Sequence, residues 1–126
     1  MNMFQLDASD KRPLYEQIKA KLKELIFQGV LKENEKIPSV RELAGTLAIN
    51  PNTIQKAYKE LENEGYIYSK PAKGNFVSKR EDAKNNSEGK EIAFGEFDAV
   101  LQNMRFLGVS CEELKQHIDK IYNERI

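Results

Sequence analysis

The sequence predicts a mainly α-helical fold with one small β-hairpin. Apolar residues recur at spacings of three and four along most of the chain, whereas residues 66–78 combine β-forming residues with a Pro/Gly turn. Between Ile37 and Gly65, two amphipathic segments follow one another with only a polar turn between them. This order is typical of a helix-turn-helix followed by a hairpin. At 126 residues and 40% hydrophobic content, the chain can bury one modest core with a small appendage.

The first helix is expected between Pro13 and Gly29. Pro suits the first position of a helix and Gly suits the position after its end. Its apolar face is formed by Leu14, Ile18, Leu22, Leu25 and Ile26. The charged loop that follows contains Asn34, and because Asn tolerates a left-handed backbone, we expect a tight turn there.

The two helices of the central motif have clear start signals. Ser39 is a good N-cap directly after Pro38, and Asn50 is a second N-cap directly before Pro51. The second helix is expected over residues 51–64. Its outward groups are amides, a hydroxyl and ammonium groups, which can reach base edges and phosphates in a major groove: Asn52, Thr53, Gln55, Lys56 and Lys59. The alternative is a solvated polar face without a ligand.

The hairpin that follows is interpreted as a wing. Lys70 and Lys73 lie near its tip, where they can meet phosphate or enter a minor groove. Gly74 would let the turn approach a sugar-phosphate backbone closely, although a plain turn glycine is an equal alternative.

The rest of the chain is divided into a linker and a helical tail. Residues 79–90 are charged and without apolar periodicity, which indicates a linker or the frayed entry to the next helix. Residues 91–126 predict a helical hairpin whose second helix starts with a capping box at Ser110 and Glu113. A tail of this size cannot enclose a metabolite, so its apolar stripe requires a partner, either a second copy or the chain's own domain 1–78. The residues expected to dimerise are Phe94, Phe97, Val100, Leu101, Met104, Leu114, Ile118 and Ile121.

Charge and composition narrow the function classes. Residues 1–80 hold 14 Lys and Arg against 10 Asp and Glu, giving +4, and residues 81–126 hold 6 against 10, giving −4. A basic front half fits binding to a polyanion. The single Cys111 and single His117 predict no disulfide, metal or cofactor, and no nucleophile and base stand at a spacing that predicts an enzyme. We expect no membrane span or signal peptide, and a cytoplasmic location.

Three stretches closely resemble the GntR family of bacterial transcription regulators: PLYEQIKAKLKELIFQGVL, IPSVRELAGTLAINPNTIQKAYKELENEGYI and KGNFV. The resemblance covers roughly residues 11–78 and implies a winged helix-turn-helix domain. The short tail of two helices resembles the YtrA subfamily, which implies a dimer formed through residues 91–126.

The resemblance also implies roles for individual residues. The family's arginine in the first helix of the motif falls on Arg41, which would contact phosphate or guanine. The turn, recognition-helix and wing-tip positions fall on Asn50, Asn52, Thr53, Gln55, Lys73 and Gly74. The sequence departs from the family at Glu33 and Asn34, where Pro-Gly is usual, and at Pro51, where a basic or hydroxyl residue is frequent.

The function predicted is that of a dimeric, DNA-binding transcription repressor with a double-stranded operator. Arg41 and Lys56 would anchor phosphates while the amides read base edges. The alternative is a winged-helix module that binds protein and does not read DNA, favoured by Glu60, Glu62 and Glu64 on the same helix. An unidentified small-molecule effector is left open.

Overall fold

A computed structural model describes residues 4–124; the ends of the predicted domain 1–78 and of the predicted tail 91–126 extend beyond that range. The chain divides into two compact units between Gly89 and Lys90. In chain order, its elements are α1 (Leu14–Phe27), α2 (Val40–Leu47), α3 (Pro51–Glu64), β1 (Ile67–Lys70), β2 (Gly74–Val77), α4 (Arg80–Lys84), α5 (Ser87–Phe106) and α6 (Cys111–Asn123). The predicted mainly α-helical fold with a β-hairpin is confirmed.

Helix α3 lies at the centre of the first unit. Its apolar stripe is fully buried, and α1, α2 and β1 all pack against it. The residues of this stripe are Ile54, Ala57, Tyr58 and Leu61. Burying one large aliphatic or aromatic side chain contributes about 1.5–3 kcal/mol. The position of α3 is therefore fixed by packing from three sides.

Helix α1 departs from its predicted apolar face at one position. Leu14 is 46% exposed, whereas Gln17 is only 7% exposed. The Gln17 Nε2 donates to the carbonyl oxygen of Arg12 at 2.6 Å, so its amide is satisfied where the chain enters the helix. A buried polar side chain with a hydrogen bond of this kind is stable, and apolar periodicity alone cannot predict it.

The wing contains a short extended segment in addition to the two predicted strands. β1 and β2 pair antiparallel, from Ile67 opposite Val77 to Lys70 opposite Gly74. The loop before α2 adds a short third segment, because Lys36 forms an antiparallel bridge with Phe76. Asn34 begins this segment with φ +62°, which confirms the left-handed turn expected there.

Residues 79–90 are mostly helical and lead into α5, which agrees with the alternative of a helix entry and not with a plain linker. They contain α4 and the first turn of α5, which therefore begins four residues before the predicted position. Glu81 and Asp82 in the first turn of α4 and Lys84 in its last turn complement the helix dipole. At the start of α5, Asn86 Oδ1 accepts from the Gly89 N–H at 2.7 Å. α4 and the first turn of α5 are thus stabilised by charge placement and by this hydrogen bond, so residues 79–90 carry no apolar pattern.

The second unit consists of most of α5, a turn at Gly108 and α6. The Glu113 N–H donates to Ser110 Oγ at 3.1 Å, which is the first bond of the predicted capping box. Within residues 90–124, the two helices contact each other little and no side chain is fully buried. The apolar stripe of the tail is therefore only partly covered inside this unit.

Candidate nucleic-acid interface

The helix-turn-helix begins with a reciprocal cap. Ser39 Oγ accepts from the Glu42 N–H, and the Glu42 carboxylate accepts from the Ser39 N–H, both at 3.1 Å. These bonds hold the pKa of Glu42 below its usual range. Arg41 lies exposed in the first turn that they fix. Its guanidinium is thereby presented from a rigid helix start.

The turn between α2 and α3 is set by local geometry. Ala48 caps α2 in a left-handed conformation with φ +55°, and Asn50 then caps α3 with its Oδ1 accepting from the Asn52 N–H at 2.8 Å. Pro51 occupies the first turn, as predicted. The Asn50 oxygen is thus used by the helix, whereas its Nδ2 group carries two N–H donors that suit a phosphate oxygen.

The first half of α3 presents its polar groups outward. Asn52, Gln55 and Lys56 are exposed, and Thr53 is half-buried. The Lys56 ammonium lies 3.9 Å from the centre of the Tyr15 ring, which belongs to α1. A cation over an aromatic face is attracted by about 0.5–1 kcal/mol at an exposed site. Tyr15 therefore restrains Lys56 on this surface.

The second half of α3 carries three carboxylates, and all three have partners inside the first unit. Lys19 Nζ bonds Glu60 at 2.9 Å and Glu64 at 2.5 Å, and Lys23 Nζ bonds Glu64 at 2.9 Å. Glu62 accepts from the Ser69 hydroxyl of β1 at 2.8 Å. The acidic residues thus connect α3 to its neighbours.

The tip of the wing is basic and tightly turned. Lys73 is exposed in the turn, and Gly74 has φ +119°. A Cβ on Gly74 would lie 2.9 Å from Cε of Lys36. The Lys36 side chain could move aside, but the positive φ disfavours any residue other than glycine, so the hairpin itself favours Gly74 whether or not a ligand approaches it. Lys70 lies over the Phe76 ring at 5.4 Å, so three lysines surround the wing.

The predicted residues fall into three groups. Arg41, Asn50, Asn52, Thr53, Gln55 and Lys56 lie on the helix-turn-helix, and Lys73 and Gly74 lie on the wing. The residues expected to dimerise lie on α5 and α6; five are exposed, and Leu101, Met104 and Leu114 are half-buried.

Sequence reasoning did not select Tyr15 or Lys36 for this surface. Tyr15 is near Lys56 only because α1 packs on α3, and Lys36 reaches the wing through its bridge to Phe76. Neither contact has a local sequence signal, although the flanking Ile37 could have suggested an extended segment.

Together, the fold and the polar surface define a winged helix-turn-helix protein. Residues 14–77 match the model of the gntR family of bacterial regulatory proteins. The chain belongs to this family.

Three comparisons place the chain among its relatives. The HTH-type transcriptional repressor YtrA of Bacillus subtilis is 41% identical, over 94% of this chain and 92% of the relative. The structure of YtrA from Sulfolobus acidocaldarius, a GntR-family transcription factor, is 33% identical with a TM-score of 0.64, covering 94% of this chain and 95% of that one. The DNA-binding domain of AraR in complex with an operator is 32% identical with a TM-score of 0.52, covering 60% of this chain and 94% of that one.

Two structural features are absent from residues 4–124. No helix there is both long and apolar enough to cross a membrane. Over the same range, no cluster of three or more His, Cys, Asp or Glu side chains is arranged to hold a metal ion.

Proposed function

We propose that this protein is a sequence-specific, DNA-binding transcription repressor that acts as a homodimer in the cytoplasm, without enzymatic turnover. The observation that carries the proposal is the asymmetry of α3. Its first half exposes amides and an ammonium group, whereas its three carboxylates are bonded to Lys19, Lys23 and Ser69. The helix can therefore approach a polyanion with its first turns.

In this mechanism, α3 enters a major groove with its N-terminal end first. Arg41 and Lys56 contact phosphates, and Asn52, Thr53 and Gln55 read base edges. An Asn or Gln amide pairs well with adenine, so half-sites containing adenine are favoured. Lys73 meets the adjacent minor groove or its phosphates from the wing. Occupying a promoter in this way represses transcription.

The internal pairing of the carboxylates bears on the protein-binding alternative. That alternative was favoured by the negative charge of Glu60, Glu62 and Glu64. Glu62 accepts from the neutral Ser69 hydroxyl and keeps its charge, but Glu60 and Glu64 are ion-paired within the first unit and offer little charge to an external partner. The same bonds reduce the repulsion that these carboxylates would exert on phosphate.

The two-helix tail supports dimerisation by a physical argument. Phe94, Phe97 and Ile121 remain 66%, 42% and 46% exposed. A second copy would cover these side chains in both chains at once. The two α3 helices of a symmetric dimer then match two half-sites related by a two-fold axis.

The test is a fluorescence-anisotropy titration against duplexes from the region upstream of the gene, with scrambled duplexes of equal length. The wild type should bind selectively, and its affinity should fall steeply with salt because phosphate contacts release counterions. Arg41→Ala should weaken binding to all duplexes and lower the salt slope by about one.

Lys84→Ala is the matched control. Lys84 is exposed on α4, outside the proposed surface, so this substitution also removes one positive charge. It should leave affinity and slope near those of the wild type. Equal, salt-insensitive binding of both duplexes by the wild type would contradict the proposal and favour the protein-binding alternative.

A further inference from the structure

The start of α5 approaches the end of α3 unusually closely. Gly89 is buried, and a Cβ on it would lie 2.3 Å from the Glu64 carbonyl oxygen and 2.9 Å from the Glu64 carbonyl carbon. Such distances are too short for any side chain, and the neighbouring atoms are backbone, which cannot rotate away. Only glycine permits this contact.

Asn86 connects the same two helix ends. Its Oδ1 accepts from the Gly89 N–H at 2.7 Å and so caps α5. Its Nδ2 lies against Gly65, where a Cβ would be only 2.6 Å away. Gly65 also ends α3 in a left-handed conformation with φ +94°. We call Gly65, Asn86 and Gly89 the helix-end contact.

The end of α3 beneath Gly89 is also held in place by ion pairs. Glu64, which supplies the carbonyl oxygen beneath Gly89, is held by Lys19 and Lys23 of α1. α5 continues without interruption from Ser87 to Phe106. The first turn of α5 therefore packs against the end of the helix proposed to read DNA.

We propose that the helix-end contact sets the spacing of the two half-sites that the dimer accepts, with Gly89 and Asn86 as positioning residues. This inference rests on the proposed function. In a dimer joined through the tail, the direction in which α5 leaves α3 decides where the two reading helices lie. Since adding one base pair to a spacer turns a half-site by about 35°, a fixed exit direction selects one spacer.

Gly95 offers a matched control on the same helix. It is also a glycine inside α5, but no atom lies within 4 Å of the Cβ that alanine would add. Gly89→Ala and Gly95→Ala therefore make the same chemical change, and only the first one disturbs the helix-end contact. Asn86→Ala removes a side chain from the contact without adding any atom.

The experiment starts by selecting duplexes with wild-type protein from a randomised pool. The selected duplex is rebuilt with spacers one base pair shorter and longer, and as a single half-site. Wild type should prefer one spacer by about tenfold, since binding of two linked sites depends on geometry. Gly89→Ala should reduce this preference to about twofold or move it to another spacer, with half-site affinity unchanged within about twofold. Gly95→Ala should match the wild type.

Several results would overturn the inference. One is a Gly89→Ala spacer profile equal to that of the wild type, and another is an equal change in Gly95→Ala. An equal loss on the half-site would place the effect within the reading helix itself. If Gly89→Ala does not fold, as judged by circular dichroism, an unchanged profile in Asn86→Ala has the same meaning. If the wild type selects no duplex, the proposed function fails first and the inference with it.

Discussion

Glu64 stands at the last position of α3 with two lysine partners, and it is the least exposed carboxylate of that helix. Its side chain is only 8% exposed. Burial alone would raise the pKa of Glu64, but the hydrogen bonds and charges of Lys19 and Lys23 outweigh burial and lower it. For Lys19, burial opposes the charge, but Glu64 and Glu60 together raise the pKa of the ammonium group. Both partners are therefore held in their charged forms.

This pairing predicts a pH-dependent stability. Because the pKa of Glu64 is lower in the folded state, its contribution is present above the ordinary value of 4.5 and is lost as pH falls through the folded value. Glu64→Gln should destabilise the protein by about 1–3 kcal/mol near pH 7. The gap between wild type and variant should shrink as pH is lowered below 4.5, as measured by urea unfolding at successive pH values.

Glu96→Gln is the control for this measurement, because Glu96 is an exposed carboxylate on α5. Its effect on the free energy of unfolding should be within about 0.5 kcal/mol at every pH. A Glu64→Gln gap that stayed constant down to pH 3 would show that the carboxylate charge contributes nothing to folding.

Among the elements, α3 is joined to the loop before α2 by a partly buried hydrogen bond. The Tyr58 hydroxyl donates to the Pro38 carbonyl oxygen at 2.7 Å, and burial raises the pKa of this phenol. Tyr58→Phe keeps the packing but leaves the Pro38 carbonyl without this donor. We expect a loss of about 1–2 kcal/mol in the free energy of urea unfolding.

Tyr122 provides the comparison, since it is 86% exposed on α6. Tyr122→Phe should change the free energy of unfolding by less than about 0.5 kcal/mol. An equally small effect of Tyr58→Phe would mean that water satisfies the Pro38 carbonyl once the hydroxyl is gone.

The elements differ in how well the sequence predicts them. α2 and α3 were predicted closely because Ser39, Asn50 and Pro51 act locally, through caps that depend on a few neighbouring residues. The hairpin was predicted for a similar reason. α4 was not, because its short helix depends on a helix dipole and on a bond from the Arg80 N–H to Glu33, which lies 47 residues earlier.

The residues of the candidate interface also differ in how well the sequence predicts them. Asn52, Gln55 and Lys56 could be placed on an outward face by periodicity, and their exposure agrees with it. The partners of α3 that lie on α1 could not be predicted, because Tyr15 and Lys19 reach α3 only after the two helices pack. Contacts between helices that pack across the core leave no local pattern in the sequence.

At the scale of the whole molecule, the two units differ in how much apolar surface they bury. The first unit buries a complete apolar core, which includes fully enclosed Ile18, Leu22 and Ile54. Residues 90–124 contain no buried side chain, so packing within the tail cannot supply comparable stabilisation. A tail of this composition gains most of its stability when another surface covers it. The proposed dimer supplies that surface.

The dimer can be tested with a charge on the apolar stripe. Phe97 is 42% exposed, so Phe97→Asp leaves no large internal cavity, whereas in a dimer it would bury a carboxylate without a partner. We expect the wild type to sediment as a dimer at micromolar concentration and the variant as a monomer. Burying each such phenylalanine contributes about 1.5–3 kcal/mol, which the variant forfeits together with the charge penalty.

Ala99→Asp is the matched control, because Ala99 is exposed and lies two residues on, about 200° around α5 from Phe97. It adds the same charge to the opposite face and should remain dimeric. The monomeric Phe97→Asp should keep its half-site affinity but bind a duplex with two half-sites about 100-fold more weakly, because the second contact is no longer linked to the first. A monomeric wild type would instead favour a tail that packs on its own first unit, and two-site binding would then equal half-site binding.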